Sequence, residues 1–298
     1  MRIPPPLQSG DLIALASPAR AVGPDEVEYF VRYAREHGWR VRIDEVCFAR
    51  HNQFGGPDPL RAGHMQTLLD DPEVKAIFCC RGGYGSLRIV DSISFERFLA
   101  NPKWLVGFSD ITVFHAHLQA HGVGSLHAPM PFNFGANDKA LFHLVAQFLE
   151  GQPVHTNLPP HEYNIPGSAT GVLTGGNLSM LYALKGSPSL PNMKDMILFL
   201  EDVDEYLYHI DRMMLSLKRA GVFGSLAGLI VGAFTQMKDN TIPFGQTAEQ
   251  IISAHTKEFG FPVCFGFPAG HIDNQQPLLL GGKIQIQVRN DGASLVYT

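Results

Sequence analysis

Short apolar runs alternate with stretches of helical spacing through the first half of the chain. Asp11 to Ser17 reads as a buried strand, and Glu26 to His37 carries Val27, Phe30, Val31, Tyr33 and Ala34 at helical intervals before Gly38 stops it. Trp39 to Ile43 is a second strand, and Asp58 to Asp70 a helix with Pro59 in its first turn. Ala76 to Cys80 is another buried strand, Ser86 to Leu99 is helical in part, and Trp104 to Phe108 is a strand followed by a helix over Ile111 to His121. Strands this short and apolar, each followed by a helix, predict an α/β fold with a parallel sheet covered on both faces.

The pattern changes after Gly151. Gln152 to Ser168 holds Pro153, Pro159, Pro160, Pro166 and Gly167 with little apolar periodicity, which is the chemistry of a linker. Beyond it, strands are expected at Gly171 to Thr174, Met196 to Leu200 and Gly228 to Val231, with helices at Leu178 to Leu184, Tyr208 to Ala220 and Gln246 to Phe259. Pro277 to Leu280, Gly281-Gly282 and Lys283 to Val288 read as a hairpin, and Asn290-Asp291-Gly292 turns into a last strand, Ala293 to Tyr297. The chain therefore divides into residues 1–150, a linker over 151–168, and a mixed second domain over 169–298.

Composition narrows the function classes. The 298 residues carry 45% hydrophobic and 17% charged side chains, enough apolar material for a sizeable core. A net charge of −5 without a basic run argues against nucleic acid and anionic membrane surfaces as partners. The apolar segment Val222 to Phe234 is shorter than the roughly 20 residues a spanning helix needs, and residues 1–6 lack a signal-peptide core, so a cytoplasmic location is expected. Cys47, Cys79, Cys80 and Cys264 form no CxxC and read as buried free thiols.

Four segments could carry chemistry. Gly107-Phe108-Ser109-Asp110 lies between a strand and a helix, where a serine hydroxyl projects from the sheet edge and the next backbone N–H can face an oxyanion. Ile111 stands where a nucleophile elbow usually has glycine, and helix N-capping by Ser109 or Asp110 is the competing reading. Arg81-Gly82-Gly83-Tyr84-Gly85 also ends a strand, and its glycines can turn backbone N–H groups toward an anion. It fits neither a dinucleotide fingerprint nor a P-loop, and a tight turn without a ligand is equally open. Glu201-Asp202-Val203-Asp204-Glu205 follows a strand and could orient a histidine, or be a solvated acidic cluster. His271, in Pro268-Ala269-Gly270-His271, sits in a glycine-flanked loop, though it is one of 13 histidines. His115 and His117 point to nearly opposite sides of one helix, and His161-Glu162 lacks the second histidine of HExxH, so no metal is expected.

In this order, the four segments resemble the LD-carboxypeptidase family of serine peptidases, which includes the microcin C self-immunity proteins. Leu7 to Ile13 with Ser17-Pro18 is similar to the family's opening, with Ser9 where proline is more usual. His127-Ala128-Pro129 resembles a family His-Gly-Pro, and Gly175-Gly176-Asn177-Leu178 a further stretch. The resemblance implies a Rossmann-like N-terminal domain, similar to glutamine amidotransferases, with a smaller β-rich α+β C-terminal domain. It assigns Ser109 as nucleophile, His271 as general base and acid, and Glu201 as the carboxylate orienting it. The backbone N–H groups of Gly83 and Asp110 would form the oxyanion hole, and Arg81 and Asn177 are candidates for substrate binding. The implied reaction needs no cofactor: it cleaves the amide to a terminal D-amino acid, most simply D-alanine of the cytoplasmic murein tetrapeptide in peptidoglycan recycling. A small peptide substrate and a homodimer follow from the same resemblance. The alternatives are a microcin C-type peptidase acting on peptidyl- or aminoacyl-nucleotides, and a catalytically silent small-molecule binding protein. A nucleotide-dependent oxidoreductase lacks its glycine fingerprint.

Overall fold

A computed structural model describes all 298 residues. The first sheet contains β1 (Leu12–Ala16), β2 (Arg40–Arg42), β3 (Val74–Cys79), β4 (Trp104–Gly107) and β5 (Ser125–His127), all parallel in the order 5-4-3-1-2. The connecting helices are α1 (Glu28–Glu36), α2 (Asp58–Asp70), α3 (Glu96–Ala100) and α4 (Thr112–Ala120), and α5 (Lys139–Leu149) follows β5. Strand side chains alternate between faces, so Ile13 and Leu15 pack toward α1 and α5. Ala14 and Ala16 pack instead among residues of α2 and α4. Both faces of the sheet are covered, as the uninterrupted apolar runs require.

The second sheet has seven strands in the order β10-β9-β8-β7-β12-β13-β6. Here β6 is Thr156–Leu158, β7 Gly167–Asn177, β8 Ile197–Val203, β9 Gly228–Thr235 and β10 Val263–Cys264, with β12 Lys283–Arg289 and β13 Gly292–Tyr297. Strands 7 to 10 run parallel, and β12, β13 and β6 add antiparallel neighbours. The helices α6 (Leu178–Ala183), α7 (Leu207–Arg219) and α8 (Ala248–Thr256) accompany this sheet, the last two packing one face. The proline-rich segment after Gly151 contributes β6, which pairs with β13.

The expected hairpin across Gly281-Gly282 does not form. Leu278–Leu280, strand β11, pairs antiparallel with β5 at the edge of the first sheet, while β12 pairs with β7 and β13 in the second. Leu278 and Leu280 bury in the same apolar cluster as Phe199, Ile230, Ile284 and Ile286. The two glycines let the chain cross between the sheets, where a Cβ on Gly281 would stand 2.7 Å from Gly124 Cα. The apolar alternation is as expected, but the strands part because each has a better partner elsewhere.

Candidate active site

Ser109 follows the C-terminal end of β4 and opens the turn into α4. Its φ is +63°, a left-handed conformation that non-glycine residues rarely adopt. The neighbouring strand β3 ends just before the glycine loop, so the loop and Ser109 share one sheet edge. The fit is close: a Cβ on Gly82 would lie 3.0 Å from Ser109 Cβ and 3.1 Å from its Oγ. The glycine of that loop that abuts the hydroxyl is thus Gly82. Gly83 follows it with φ +100° and is exposed, and its N–H makes no hydrogen bond within the chain.

Asp110 contributes more than a backbone N–H. Its carboxylate is buried, and Oδ2 accepts the Ser86 N–H at 2.8 Å, tying the elbow to the end of the glycine loop. Burial raises its pKa, and the Ser86 and Gly85 hydrogen bonds and the Arg61 charge oppose the rise. Arg61, itself buried on α2, donates from Nη1 to the Gly85 carbonyl at 3.0 Å and from Nε to the Gly56 carbonyl at 3.1 Å. A buried guanidinium and a buried carboxylate therefore hold the loop from two sides.

Glu201 lies at the end of β8, in register with Asn177 at the end of β7. Its side chain is fully buried, and Oε2 accepts a hydrogen bond from His271 Nδ1 at 2.8 Å. Because a carboxylate can only accept, the neutral ring carries its proton on Nδ1, leaving Nε2 as an acceptor. The Ser109 hydroxyl donates to that nitrogen at 3.0 Å. Gly270 permits the approach: with φ +115°, any Cβ there would stand 2.9 Å from Glu201 Cβ and Oε2. The Phe108 ring packs 4.9 Å from the imidazole. Burial lowers the His271 pKa, but the Glu201 hydrogen bond and charge, with Asp202, outweigh it and leave the pKa raised.

The acidic cluster is divided: Glu201 and Asp202 are buried, whereas Asp204 is exposed and Glu205 half-buried. Asp202 is buried, accepting from Asn177 Nδ2 at 2.9 Å, from the Ser179 N–H at 2.9 Å and hydroxyl at 2.7 Å, and from the Val203 N–H at 2.9 Å. Burial and the Glu201 charge push its pKa up to about 6. Asn177 Oδ1 accepts the Met180 N–H at 3.2 Å, so both ends of this side chain hold the scaffold behind Glu201. The Arg81 guanidinium lies 3.9 Å from the Phe132 ring centroid and pairs with Glu26 at 3.3 Å.

The halves of the site meet along α4 and β7. Thr112 Oγ1 accepts the Asn177 N–H at 3.0 Å. Gln119 donates to the Leu173 carbonyl and accepts from the Thr174 hydroxyl, each at 2.8 Å. His115 is buried between Ser125 and the Gly107 carbonyl, and His117 faces Ser189, so the two histidines diverge as their spacing implies. His127, in β5, is fully buried, and neither ring nitrogen has a partner. All four cysteines are free and buried. No helix is long and apolar enough to cross a membrane.

Sequence reasoning missed the side-chain roles of Asp110, Arg61, Thr112 and Gln119. One signal existed for Arg61: it shares helical spacing with the buried Met65 and Leu68, which places it on the inner face of α2. Nothing local marks the other three, whose partners are 24 to 65 residues away.

Comparison with known proteins places these segments in a family. The LD-carboxypeptidase N-terminal domain model matches residues 11–128, and the LD-carboxypeptidase C-terminal domain model matches residues 170–286. A Bacillus subtilis protein named a probable murein peptide carboxypeptidase is 32% identical over 292 residues, covering 94% of this chain and 90% of its own. The murein tetrapeptide carboxypeptidase of Pseudomonas aeruginosa is 27% identical over 275 residues, with 87% of each chain covered. Among solved structures, muramoyltetrapeptide carboxypeptidase from Oxalobacter formigenes superposes with a TM-score of 0.87 at 26% identity, covering 96% of this chain and 98% of that one. A microcin C7 self-immunity protein superposes with a TM-score of 0.88 at 19% identity over 100% of this chain and 99% of that one, a likeness of fold.

Proposed function

The chain belongs to the LD-carboxypeptidase family, and from that premise we propose that it is a serine peptidase that removes the terminal D-alanine from a murein tetrapeptide. The observation that carries the reading is the hydrogen-bonded series Ser109–His271–Glu201, at 3.0 Å and 2.8 Å, built from residues far apart in sequence.

In the proposed reaction, His271 Nε2 takes the hydroxyl proton as Ser109 Oγ attacks the scissile carbonyl. Glu201 holds the ring in the required tautomer and stabilises the imidazolium. The N–H groups of Gly83 and Asp110 receive the oxyanion. The imidazolium then protonates the departing amine, D-alanine leaves, and the tripeptide remains esterified to Ser109. Water, deprotonated by His271, attacks the ester, and proton return to Ser109 restores the enzyme. Two flanking cavities support a zwitterionic peptide as substrate. One, of about 360 Å³, is bounded by the segment that follows His271 and is lined by Asp138, Asp273, Asn133 and Asn274, suited to an ammonium group. The other is cationic and adjoins the glycine loop.

The test offers the purified protein L-Ala-γ-D-Glu-meso-diaminopimelyl-D-Ala, its diastereomer ending in L-Ala, and an aminoacyl-adenylate. Release of D-alanine from the first alone is the expected result. Cleavage of the nucleotide conjugate instead would move the chain to the microcin-type activity. We further place the enzyme as a cytoplasmic homodimer serving murein-peptide recycling; the relatives' names support a murein peptide as substrate, and light scattering and cell fractionation test the assembly and the location.

A further inference from the structure

The cationic cavity runs against the overall charge of the molecule. Its volume is about 330 Å³, and its polar lining comprises Arg20, Arg50, Arg81, Glu26, Asn52 and Gln53. Three guanidinium groups thus face one carboxylate in a chain whose net charge is −5. That carboxylate is already committed, pairing with Arg81 at 3.3 Å and accepting the Gly23 N–H at 2.6 Å. Arg20 and Arg50 form no ion pair within the chain. Burial lowers the Arg81 pKa, Glu26 opposes this, and the Arg20 charge lowers it further, so the two arginines repel one another. An anion between them would relieve that repulsion.

The cavity abuts the reaction centre through the backbone. The Arg20 N–H donates to the Gly82 carbonyl at 3.2 Å, and Gly82 is the glycine packed against Ser109. A Cβ on Gly83 would stand 3.0 Å from Arg20 Cδ and 3.2 Å from its Cβ, so the Arg20 stem covers the outer side of the loop. Arg81 is held from behind by the Phe132 ring. A guanidinium's fork of donors matches the planar, two-oxygen geometry of a carboxylate, and the Arg20 and Arg50 forks are free to take one.

Resting on the peptidase reading above, we propose that Arg20 and Arg50, with Arg81, form a subsite for one carboxylate of the substrate peptide and so select acidic murein peptides over neutral ones. The tetrapeptide offers three such groups: the terminal D-alanine carboxylate, the α-carboxylate of the γ-linked D-glutamate, and the side-chain carboxylate of diaminopimelate. Arg50 is the cleaner residue to remove, because Arg20 also packs on the loop.

The experiment compares the parent, Arg50→Ala, Arg20→Ala and Arg50→Lys on the free tetrapeptide and on three derivatives, each with one carboxylate converted to the amide. KM and kcat are measured on the active proteins. Binding is measured calorimetrically in a Ser109→Ala background, where no turnover intervenes. Arg50→Ala should raise KM for the free peptide, and weaken its binding, by about tenfold to a hundredfold, with Arg50→Lys intermediate. One amidated derivative should bind the parent equally weakly and lose nothing further in Arg50→Ala, which identifies the carboxylate. Unchanged KM and binding in both alanine variants, with the parent still releasing D-alanine, would overturn the subsite and leave the peptidase reading intact. A parent that neither cleaves nor binds the tetrapeptide would overturn both.

Discussion

The left-handed backbone at Ser109 and the absence of a side chain at Gly82 belong to one arrangement. A serine at φ +63° costs conformational energy and persists because β4, α4 and the glycine loop constrain it. Gly82→Ala would put a methyl group 3.1 Å from Ser109 Oγ. We expect a loss of roughly a hundredfold in kcat/KM with the melting temperature nearly unchanged, checked by peptide hydrolysis beside calorimetry. A second residue-scale prediction follows from His271. The ring must be neutral to accept the serine proton, and its pKa is raised above 6.5 chiefly by Glu201, against burial. Rate against pH should therefore rise through a pKa above 6.5. Glu201→Gln removes the charge that raises it, so the inflection should move to lower pH while kcat falls by about a hundredfold to ten-thousandfold. A pH–rate profile of both proteins decides this, and an inflection that stays in place would remove Glu201 from its role.

At the scale of elements, the site depends on how α4 meets β7. Ser109 lies in the turn that leads into α4, and the end of β7 stands beside Glu201. Gln119 bridges them with both ends of its amide, and Thr112 holds the Asn177 N–H. Gln119→Leu strands the Thr174 hydroxyl in a buried interface, while the Leu173 carbonyl keeps the Gly281 N–H at 2.8 Å, so the cost is about 1–3 kcal/mol. Denaturant unfolding should register that loss, and activity at 25 °C should fall more than the small unfolded fraction explains. Most elements here were legible. The helix over Asp58 to Asp70 appears with the expected limits, because Pro59 and the apolar spacing mark it locally. The helix α5 was not among the expected elements, although Phe142, Val145, Ala146 and Leu149 give it a buried face with a spacing as clear as that of α1. The placement of β11 was not legible, since an apolar strand pairs according to which sheet edge is free, and that edge is set by β5, some 150 residues earlier.

On the scale of the whole molecule, a parallel sheet supplies Ser109 and the glycine loop, and a mixed sheet supplies Glu201, with His271 in the loop after β10. Each segment expected to carry chemistry lies at a strand end or in a glycine turn, a local signature that left an ordinary structural reading open for each; their order along the chain, through its resemblance to the family, singled out Ser109, Glu201 and His271. The support around them, such as Asp110 on Ser86 and Arg61 on Gly85, left little trace because it consists of contacts between distant segments. In the proposed reaction the Ser109 hydroxyl, activated by His271 and Glu201, performs the amide hydrolysis. The most direct measurement is D-alanine release from L-Ala-γ-D-Glu-meso-diaminopimelyl-D-Ala by the parent and by Ser109→Ala, with EDTA present, followed by mass spectrometry. Release by the parent alone, with Ser109→Ala folded and silent, is the predicted result; equal release by both would contradict the account.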